Sequence, residues 1–382
     1  MNNIHRSFVY MLVVMIMGMA ATTVVAISSA DFVSNYNNYS NTQIVQRPAP
    51  RPILLNSCAI LDVPNAVYLL TMDLHPTDDG VCFTIASDRV TLDGNGHSII
   101  FENGEDDTGV FLQFLSSITV KNLTIVGAEW GIDLVGVTNG IIKDNIILSA
   151  GTSGIETLAF NSIFQNNTVV ASPNSLFLGG TSQNNQLINN KISSGRSGII
   201  LSGIGNVVSG GFVKNSQEYG LDIATSDGSD MGNTLNGVVI TNNNPEVYDI
   251  RFHGDPEHIV YLNNMPLIGK YRIDGPGGKL VVRNSTGEIK FLEALSGSGK
   301  SLSRAISVSD NLAVVDSVSN PGLNKKAQIT LNGLAGRFNS PIILKDGQEC
   351  PADICAFISP LGSEPAIFEV EHWTAYSLGE KK

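Results

Sequence analysis

The chain is 382 residues long and acidic, with a formal net charge of −12 at pH 7 and only 15% charged residues. Hydrophobic residues make up 42% of the sequence, glycine is abundant at 38 residues and aromatic residues are few, which excludes a protein built of long charged helices. The sequence carries no basic stripe of the kind that a nucleic-acid backbone requires, so DNA, RNA and anionic membranes are not expected as partners.

The N-terminus has the features of an export signal. A single Arg precedes an uncharged apolar run from Phe8 to Ala26, and Val24 and Ala26 suit cleavage after Ala26. Residues 1–26 are therefore predicted to be a signal peptide, or an N-terminal anchor where the apolar run is retained. An anchor of this kind is the one membrane contact we expect, and the remaining chain should be secreted or lie at the cell surface. Residues 27–53, rich in Asn, Ser and Pro, predict a flexible spacer.

Two markers then recur with a common period over residues 54–284. The first is an Asn beside apolar residues, at Asn122, Asn145, Asn167, Asn190 and Asn215. The second is a small residue followed by apolar ones, at Gly131, Gly154, Ser175, Gly198 and Gly220. Steps of 21 to 25 residues separate successive members of both series, and apolar residues alternate with polar ones between them, as in β-strands.

This period predicts an all-β solenoid with two or three short strands in each stacked turn. A leucine-rich repeat has a similar period, but its LxxLxL frame is absent from the sequence. The marker Asn residues are predicted to be structural, each at a strand-edge turn and hydrogen-bonded to the turns above and below.

Residues 90–99 (VTLDGNGHSI) and 118–125 (ITVKNLTI) resemble proteins of the right-handed parallel β-helix class with PbH1-type repeats. This class includes NosD-like proteins and carbohydrate-binding and sugar-hydrolase (CASH) domains. The resemblance covers about residues 54–284 and implies a right-handed parallel β-helix. It implies no single activity, because the architecture carries lyases, hydrolases, epimerases and adhesins. The segment from Cys58 to Ile85 resembles the opening turn of exported members and implies a Cys58–Cys82 bridge between the first two coils.

Residues 285–382 lose the period but keep strand-like alternation, which predicts a small β-rich C-terminal module. Its PGLNKK, DGQECP and EHWTAYSL segments resemble closing regions of exported archaeal and uncultivated prokaryotic proteins. The four cysteines form two local groups, so disulfides Cys58–Cys82 and Cys350–Cys355 are predicted for an exported chain. A metal site is the alternative, but CPADIC lacks CxxC spacing and a neighbouring His. Sequons at Asn38, Asn122, Asn166 and Asn284 permit glycosylation.

One candidate site is a pair of acids, Asp133 and Glu156, which the second marker places in one outward column of adjacent coils. Coils are spaced about 4.8 Å apart, so the two carboxyl groups would have the short separation used by retaining glycosidases. The same pair could bind Ca²⁺ through its oxygen atoms. The alternative is two solvated surface acids with no chemical role.

The other candidate is the segment 248–258 (YDIRFHGDPEH), in which alternation places Asp249, Arg251 and His253 on one face. These groups could supply a base, a cationic clamp for a uronate carboxylate and a proton donor. The segment resembles the Asp-Pro-His-Asp segment of mannuronan epimerases, although the order of residues differs. The alternative is a surface ion-pair cluster. GSGKS at 297–301 ends like a phosphate-binding loop but lacks its first Gly, so no nucleotide is expected.

The sequence therefore favours a non-catalytic exported protein that binds glycans or another envelope component. A polysaccharide-active lyase, epimerase or glycoside hydrolase is the first alternative, and a NosD-like accessory protein is the second. No cofactor is expected apart from the Ca²⁺ named above, and Met and His do not cluster as copper ligands would.

Overall fold

The computed structural model describes residues 51–77, 80–102, 105–225, 232–242, 244–264, 266–275, 277–360 and 362–381. The predicted signal peptide and nearly all of the predicted spacer lie outside the described residues. The described part belongs to one unit, Pro50–Lys382. No described helix is both long and apolar enough to cross a membrane.

Short strands follow one another along the chain. The first coils contain β1 (Ile53–Leu55), β2 (Ala59–Leu61), β3 (Val67–Leu70), β4 (Val81–Ile85), β5 (Thr91–Asp93), β6 (Ser98–Ile100), β7 (Thr108–Gln113), β8 (Thr119–Lys121), β9 (Thr124–Val126), β10 (Trp130–Thr138), β11 (Ile141–Lys143), β12 (Ile146–Leu148) and β13 (Ser153–Phe160). The later coils contain β14 (Ile163–Gln165), β15 (Thr168–Val170), β16 (Asn174–Leu178), β17 (Gln186–Ile188), β18 (Lys191–Ser193), β19 (Ser197–Leu201), β20 (Val207–Ser209), β21 (Phe212–Lys214), β22 (Tyr219–Thr225), β23 (Asn233–Asn236), β24 (Val239–Thr241), β25 (Tyr248–Gly254), β26 (Ile259–Asn263), β27 (Leu267–Ile268), β28 (Tyr271–Ile273) and β29 (Lys279–Asn284).

A second group of elements closes the chain. It comprises β30 (Gly287–Phe291), β31 (Gly297–Gly299), helix α1 (Leu302–Ala305), β32 (Ile306–Ser309), β33 (Leu312–Val315), a 3₁₀ turn (Pro321–Leu323), β34 (Ala327–Leu331), β35 (Pro341–Lys345), β36 (Gln348–Glu349), β37 (Cys355–Phe357), β38 (Ala366–Val370) and β39 (Ala375–Glu380).

The coils stack into three sheets. The 15-stranded sheet has the order β1-β3-β5-β8-β11-β14-β17-β20-β23-β26-β29-β30-β34-β38-β37, the 11-stranded sheet β2-β4-β7-β10-β13-β16-β19-β22-β25-β28-β31, and the 8-stranded sheet β27-β24-β21-β18-β15-β12-β9-β6. Neighbouring strands are parallel as far as β29, β28 and β27. The predicted right-handed parallel β-helix is therefore confirmed.

The interior of the solenoid is a stack of aliphatic and aromatic side chains. In most of the three-residue strands the central residue points inward, as Val120, Ile142 and Phe164 do on successive strands of the 15-stranded sheet, and all three are fully buried. Burial of one such side chain contributes about 1.5–3 kcal/mol, so a repeated column of them stabilises the coil. The small marker residue leaves room between coils: a Cβ at Gly131 would lie 2.4 Å from the carbonyl oxygen of Gly154.

A buried ladder of amides joins the coils at the corner between the 15-stranded and 8-stranded sheets. Asn145, Asn167 and Asn190 are almost completely buried. The Oδ1 atom of Asn167 accepts bonds from the backbone and side-chain nitrogens of Asn145, each at 3.1 Å, and Asn190 does the same for Asn167 at 3.0 and 3.1 Å. Each Nδ2 also donates to a carbonyl of the preceding coil, for example to that of Ile142 from Asn167 at 2.8 Å.

Two of the predicted ladder residues lie elsewhere. Asn122 occupies the turn position one residue earlier, with a left-handed φ of 53°, and its Nδ2 donates to Asp93 at 3.0 Å. Asn215, with φ 56°, follows a strand of the 8-stranded sheet and so belongs to a different corner. Asn is favoured at both positions because its short polar side chain tolerates the left-handed conformation.

A second ladder, which the sequence markers missed, follows another corner of the coil. The Oδ1 atoms of Asn185, Asn206 and Asn233 accept bonds from the backbone nitrogens of Ser162, Asn185 and Asn206 at 2.9–3.0 Å. These four residues are fully buried. The two ladders satisfy backbone groups that the short strands leave without partners.

The C-terminal residues continue the solenoid as antiparallel sheet. Strand β30 turns back against β29, and β34, β38 and β37 extend the 15-stranded sheet from it. A separate five-stranded sheet has the order β32-β33-β39-β35-β36. The predicted β-rich C-terminal module is thus confirmed.

Both predicted disulfides are present. Cys58–Cys82 joins the first two strands of the 11-stranded sheet, and Cys350–Cys355 closes a short loop before β37. No free cysteine remains in the described part of the chain.

Candidate functional site

The outer face of the 11-stranded sheet carries one column of side chains along the axis of the solenoid. Strand pairing places these residues in successive register: Phe111, Asp133, Glu156, Phe177, Ile200, Asp222, Arg251 and Arg272. The first five positions of the column are a mixture of apolar and acidic residues, whereas its last three positions, in the C-terminal coils, are all charged. The candidate site lies at this charged end.

Five charged or titratable side chains from three consecutive coils meet there, and we call them the charged cluster: Asp222, Arg251, His253, Arg272 and Asp274. Asp274 accepts bonds from Nε of Arg251 at 2.8 Å and from Nε of Arg272 at 2.5 Å. Asp222 lies 3.7 Å from Nη1 of Arg251. The cluster is therefore a connected network rather than a set of separate ion pairs.

His253 is in contact with Asp222. Its Nε2 atom lies 3.1 Å from Oδ1 of Asp222, both atoms are shielded from solvent, and neither has another hydrogen-bond partner among the described residues. The two residues lie one coil apart, because β22 and β25 pair in register. The arrangement joins a carboxyl group and an imidazole that can exchange a proton.

The two acids of the cluster have different electrostatic environments. Burial raises the pKa of Asp222 above its ordinary value, although the positive charges of His253 and Arg251 act in the opposite direction. Burial also acts to raise the pKa of Asp274, but hydrogen bonds from Arg272 and Arg251 outweigh it and hold that pKa below its ordinary value. The pKa of Asp274 is thus lowered and that of Asp222 raised, so Asp222 is the acid more easily protonated.

Two tyrosines support the cations of the cluster. The guanidinium of Arg251 lies 5.0 Å from the centre of the Tyr219 ring, and that of Arg272 lies 5.8 Å from the Tyr248 ring. Lys270 is 4.5 Å from the same Tyr248 ring. Cation–π contacts of this kind fix long side chains that would otherwise move freely at a surface.

Asp249 does not join Arg251 and His253, so the predicted common face is wrong for this residue. Asp249 is 6% exposed and occupies the corner position that Gly220 holds one coil earlier. Its carboxylate accepts a bond from Nδ2 of Asn242 at 2.9 Å and from the backbone nitrogen of Lys270 at 3.0 Å. Burial raises its pKa despite these bonds. Asp249 therefore stabilises a corner.

Asp133 and Glu156 are paired across adjacent strands, between Phe111 and Phe177 in the column. Asp133 is only 6% exposed, whereas Glu156 is partly exposed. No group of three or more His, Cys, Asp or Glu side chains arranged to hold a metal ion occurs within the described residues. The roles predicted for the pair, as glycosidase carboxylates or Ca²⁺ ligands, stay predictions.

Asp222 and Asp274 are the site residues that sequence reasoning missed. Asp222 stands in the same outward column as Asp133, but the coil that follows it is longer than the others, which obscured its register with Arg251. Asp274 stands two residues after Arg272 at the end of β28. Aligning Asp249 with Gly220, although Asp249 is not a small residue, would have placed Asp222 beside Arg251 of the next coil.

The stacked coils, the amide ladders and the inward aliphatic columns define the molecule as a right-handed parallel β-helix protein. Residues 40–203, less than half of the chain, match the family model described as "Periplasmic copper-binding protein (NosD)". No curated protein matches the sequence significantly. The two disulfides are consistent with an extracytoplasmic location.

Solved structures of low identity match parts of the chain. The enzymatically active domain of tailspike protein 2 from bacteriophage CBA120 is 14% identical, with a TM-score of 0.42, over 61% of this chain and 37% of that one. A GH87 alpha-1,3-glucanase catalytic domain in complex with nigerose is 13% identical, with a TM-score of 0.45, over 60% of this chain and 49% of that one. An alginate lyase from Paenibacillus sp. str. FPU-7 is 11% identical, with a TM-score of 0.40, over 52% and 87%. The chain thus matches little more than a third of the tailspike domain and about half of the glucanase domain.

Both cysteine pairs are in disulfides, and the described side chains form no group of three or more potential His, Cys or carboxylate metal ligands. The acids, bases and cations of the charged cluster are the groups that the site offers for chemistry.

Proposed function

We propose that this is an exported β-helix protein, secreted or held at the cell surface, that binds a glycan along the outer face of the 11-stranded sheet without transforming it. The observation that carries the proposal is the charged cluster with its two supporting tyrosines on the open face of a rigid solenoid. The network and the rings hold the polar groups in place before any ligand arrives, so binding costs little side-chain entropy.

The apolar residues of the same column suit the apolar faces of sugar rings. Phe111, Phe177 and Ile200 are partly exposed on the same face. Sugar rings present apolar C–H faces together with hydroxyl groups, so a surface that combines apolar side chains with fixed donors and acceptors matches both. The spacing of about 4.8 Å between coils presents these groups as a regular row to an extended chain.

A catalytic function is the second candidate, and the Asp222–His253 contact favours it. The carboxylate of Asp222, a stronger base because burial raises its pKa, could remove a proton next to a uronate carboxylate that the guanidinium of Arg251 neutralises, and the adjacent His253 could donate a proton to the leaving sugar oxygen. In this candidate Asp222 takes the place of Asp249 in the predicted set. The compensation of Arg251 by two carboxylates favours binding over catalysis, because it leaves less cationic charge for a substrate.

The experiment is a binding screen of the exported region against neutral and acidic polysaccharides, with and without Ca²⁺, followed by calorimetry on each binder. Arg251→Ala and His253→Ala should each weaken binding about tenfold or more, which corresponds to a loss of about 1.4 kcal/mol. Arg337→Ala removes a comparable exposed ion pair, with Asp310 at 2.9 Å, from the C-terminal module and should leave binding unchanged. Equal binding by the wild type and both cluster variants would contradict the proposal.

The same samples decide between binding and catalysis. Release of reducing ends or unsaturated uronate from a bound polysaccharide, abolished by Arg251→Ala with His253→Ala and by Asp222→Asn, would establish the catalytic candidate in place of simple binding. Asp133→Asn should be tolerated in that case. A bound polysaccharide that stays chemically unchanged after long incubation supports the non-catalytic function.

A further inference from the structure

A groove of about 600 Å³ lies where antiparallel strand β31 joins the end of the 11-stranded sheet. Residues 298–301 of the GSGKS segment form one wall. The groove is lined by Lys270, Ser298, Gly299, Lys300, Ser301, Arg304, Ala305, Asp316, Ser319 and Asn320. Its size is within the usual range for sites that bind small molecules.

The groove carries a local excess of positive charge on a protein whose formal charge is −12. Three of its lining residues are cations, and Asp316 is the one acid in the lining. Lys300 and Arg304 are exposed and form no ion pair with any described residue. Lys270 contacts the carbonyl of Pro245 at 2.6 Å and the Tyr248 ring, so no carboxylate neutralises its charge.

The one acid is already engaged, and the floor of the groove is fixed. Oδ1 of Asp316 accepts a bond from the backbone nitrogen of Ser319 at 3.0 Å, which holds the pKa of Asp316 below its ordinary value. Buried Asn320 accepts a bond from the hydroxyl of Tyr271 at 2.8 Å and donates to the carbonyl of Asp316 at 3.0 Å. The three cations therefore line a groove that also carries the hydroxyl groups of Ser298, Ser301 and Ser319.

We propose that this groove binds a phosphate or sulfate group carried by a small molecule or sugar. The cation of Lys270, the cations of Lys300 and Arg304 from a second segment and several hydroxyl donors can bond three oxygens at once, which a tetrahedral oxyanion offers and a carboxylate does not. The groove is larger than a free anion needs, so the ligand is an ester whose organic part occupies the remaining volume. The groove adjoins the charged cluster, since Lys270 and Arg272 contact the same Tyr248 ring, but its other cations lie outside the cluster and its function does not depend on the proposed glycan binding.

The test uses the disulfide-bonded exported region in calorimetry at low ionic strength. The probes are inorganic phosphate, inorganic sulfate, a hexose 6-phosphate, a hexose 6-sulfate and the unsubstituted hexose. At least one ester should bind more tightly than the free anions and more tightly than the unsubstituted hexose. The preferred ester distinguishes the phosphate source from the sulfate source.

Variants locate the binding. Lys300→Ala with Arg304→Ala should weaken the preferred ester at least tenfold and reduce the dependence of its affinity on salt. Lys214→Ala, which removes an exposed cation from the 8-stranded sheet, should leave affinity unchanged. Absence of binding by every anionic probe, or equal affinity in the wild type and the double variant, would overturn the proposal. Circular dichroism of the double variant verifies that it is folded.

Discussion

Replacing Asn167 with Ala removes the middle residue of the first amide ladder, and we expect a large loss of stability. In the native protein the side chain of Asn167 takes part in four hydrogen bonds, two with Asn145, one with Asn190 and one with the carbonyl of Ile142. All are buried. The change leaves the backbone nitrogen of Asn145 without an acceptor in the interior of the solenoid.

The magnitude follows from these four bonds. A buried donor left without a partner costs about 1–3 kcal/mol, and each of the other three bonds contributes about 1 kcal/mol net. Asn145 and Asn190 keep other partners, so the terms for those groups are at the lower end. We expect the free energy of unfolding to fall by about 4 kcal/mol, which is large compared with the usual effect of one substitution.

The control is Asn166→Gly, one residue away. Asn166 is exposed, has a left-handed φ of 55° that Gly adopts readily, and donates one surface bond to Asp144 at 3.1 Å. This change should cost about 1 kcal/mol or less. Both proteins are made in a host that does not glycosylate them, because Asn166 lies in a sequon.

The assay is equilibrium unfolding in guanidinium chloride, followed by circular dichroism and by tryptophan fluorescence. The two signals must coincide before a single free energy is calculated, because stacked repeats can unfold in parts. A loss below about 1 kcal/mol for Asn167→Ala, or one equal to that of Asn166→Gly, would refute the role given to the ladder.

Three further predictions concern other parts of the molecule. Replacing Cys58 and Cys82 with Ser removes a bridge across 24 residues and should lower the free energy of unfolding by about 3 kcal/mol. Loss of the C-terminal bridge across 5 residues should lower it less, and equal losses in denaturation experiments would contradict this. Burial raises the pKa of Asp222, so its contribution to stability is complete below about pH 4 and falls as the pH rises through the raised pKa. The stability of Asp222→Asn relative to the wild type should then increase from about pH 3 to about pH 7, and a relative decrease would show that its ion pairs dominate. Burial also raises the pKa of Tyr271 to about 12, so the free energy of unfolding should fall between about pH 10 and pH 12. Tyr271→Phe loses the bond to Asn320 and should be less stable at neutral pH, but its free energy of unfolding should fall less at alkaline pH.

Periodicity was sufficient to predict the fold because each coil repeats the same packing requirements. The small residues at Gly131 and Gly154 recur because a Cβ there would meet the next coil, and inward residues such as Ile142 must be apolar at every turn. These constraints act locally and leave a periodic trace in the sequence. The trace was strong enough to place Asp133 and Glu156 in one register, which is how the strands pair them.

The candidate site was harder to predict because it lies where the period changes. Asp249 follows Gly220 by more residues than the other steps, and it occupies a corner at which two consecutive residues, Asp249 and Ile250, are buried. Simple strand alternation fails at such a corner. The contact between His253 and Asp222 depends on pairing between coils, which alternation within one strand cannot reveal.

Because the Asn and small-residue positions repeat in each coil, one whole coil can be gained or lost during evolution. A duplication or deletion of one period, about 22 residues, would preserve the parallel strand pairing between neighbouring coils while leaving the first disulfide and the closing antiparallel strands unchanged. Each added period would lengthen the outer face by about 4.8 Å and add one position to its column of side chains. The length of the face can therefore change in discrete steps during evolution, separately from the chemistry at its charged end.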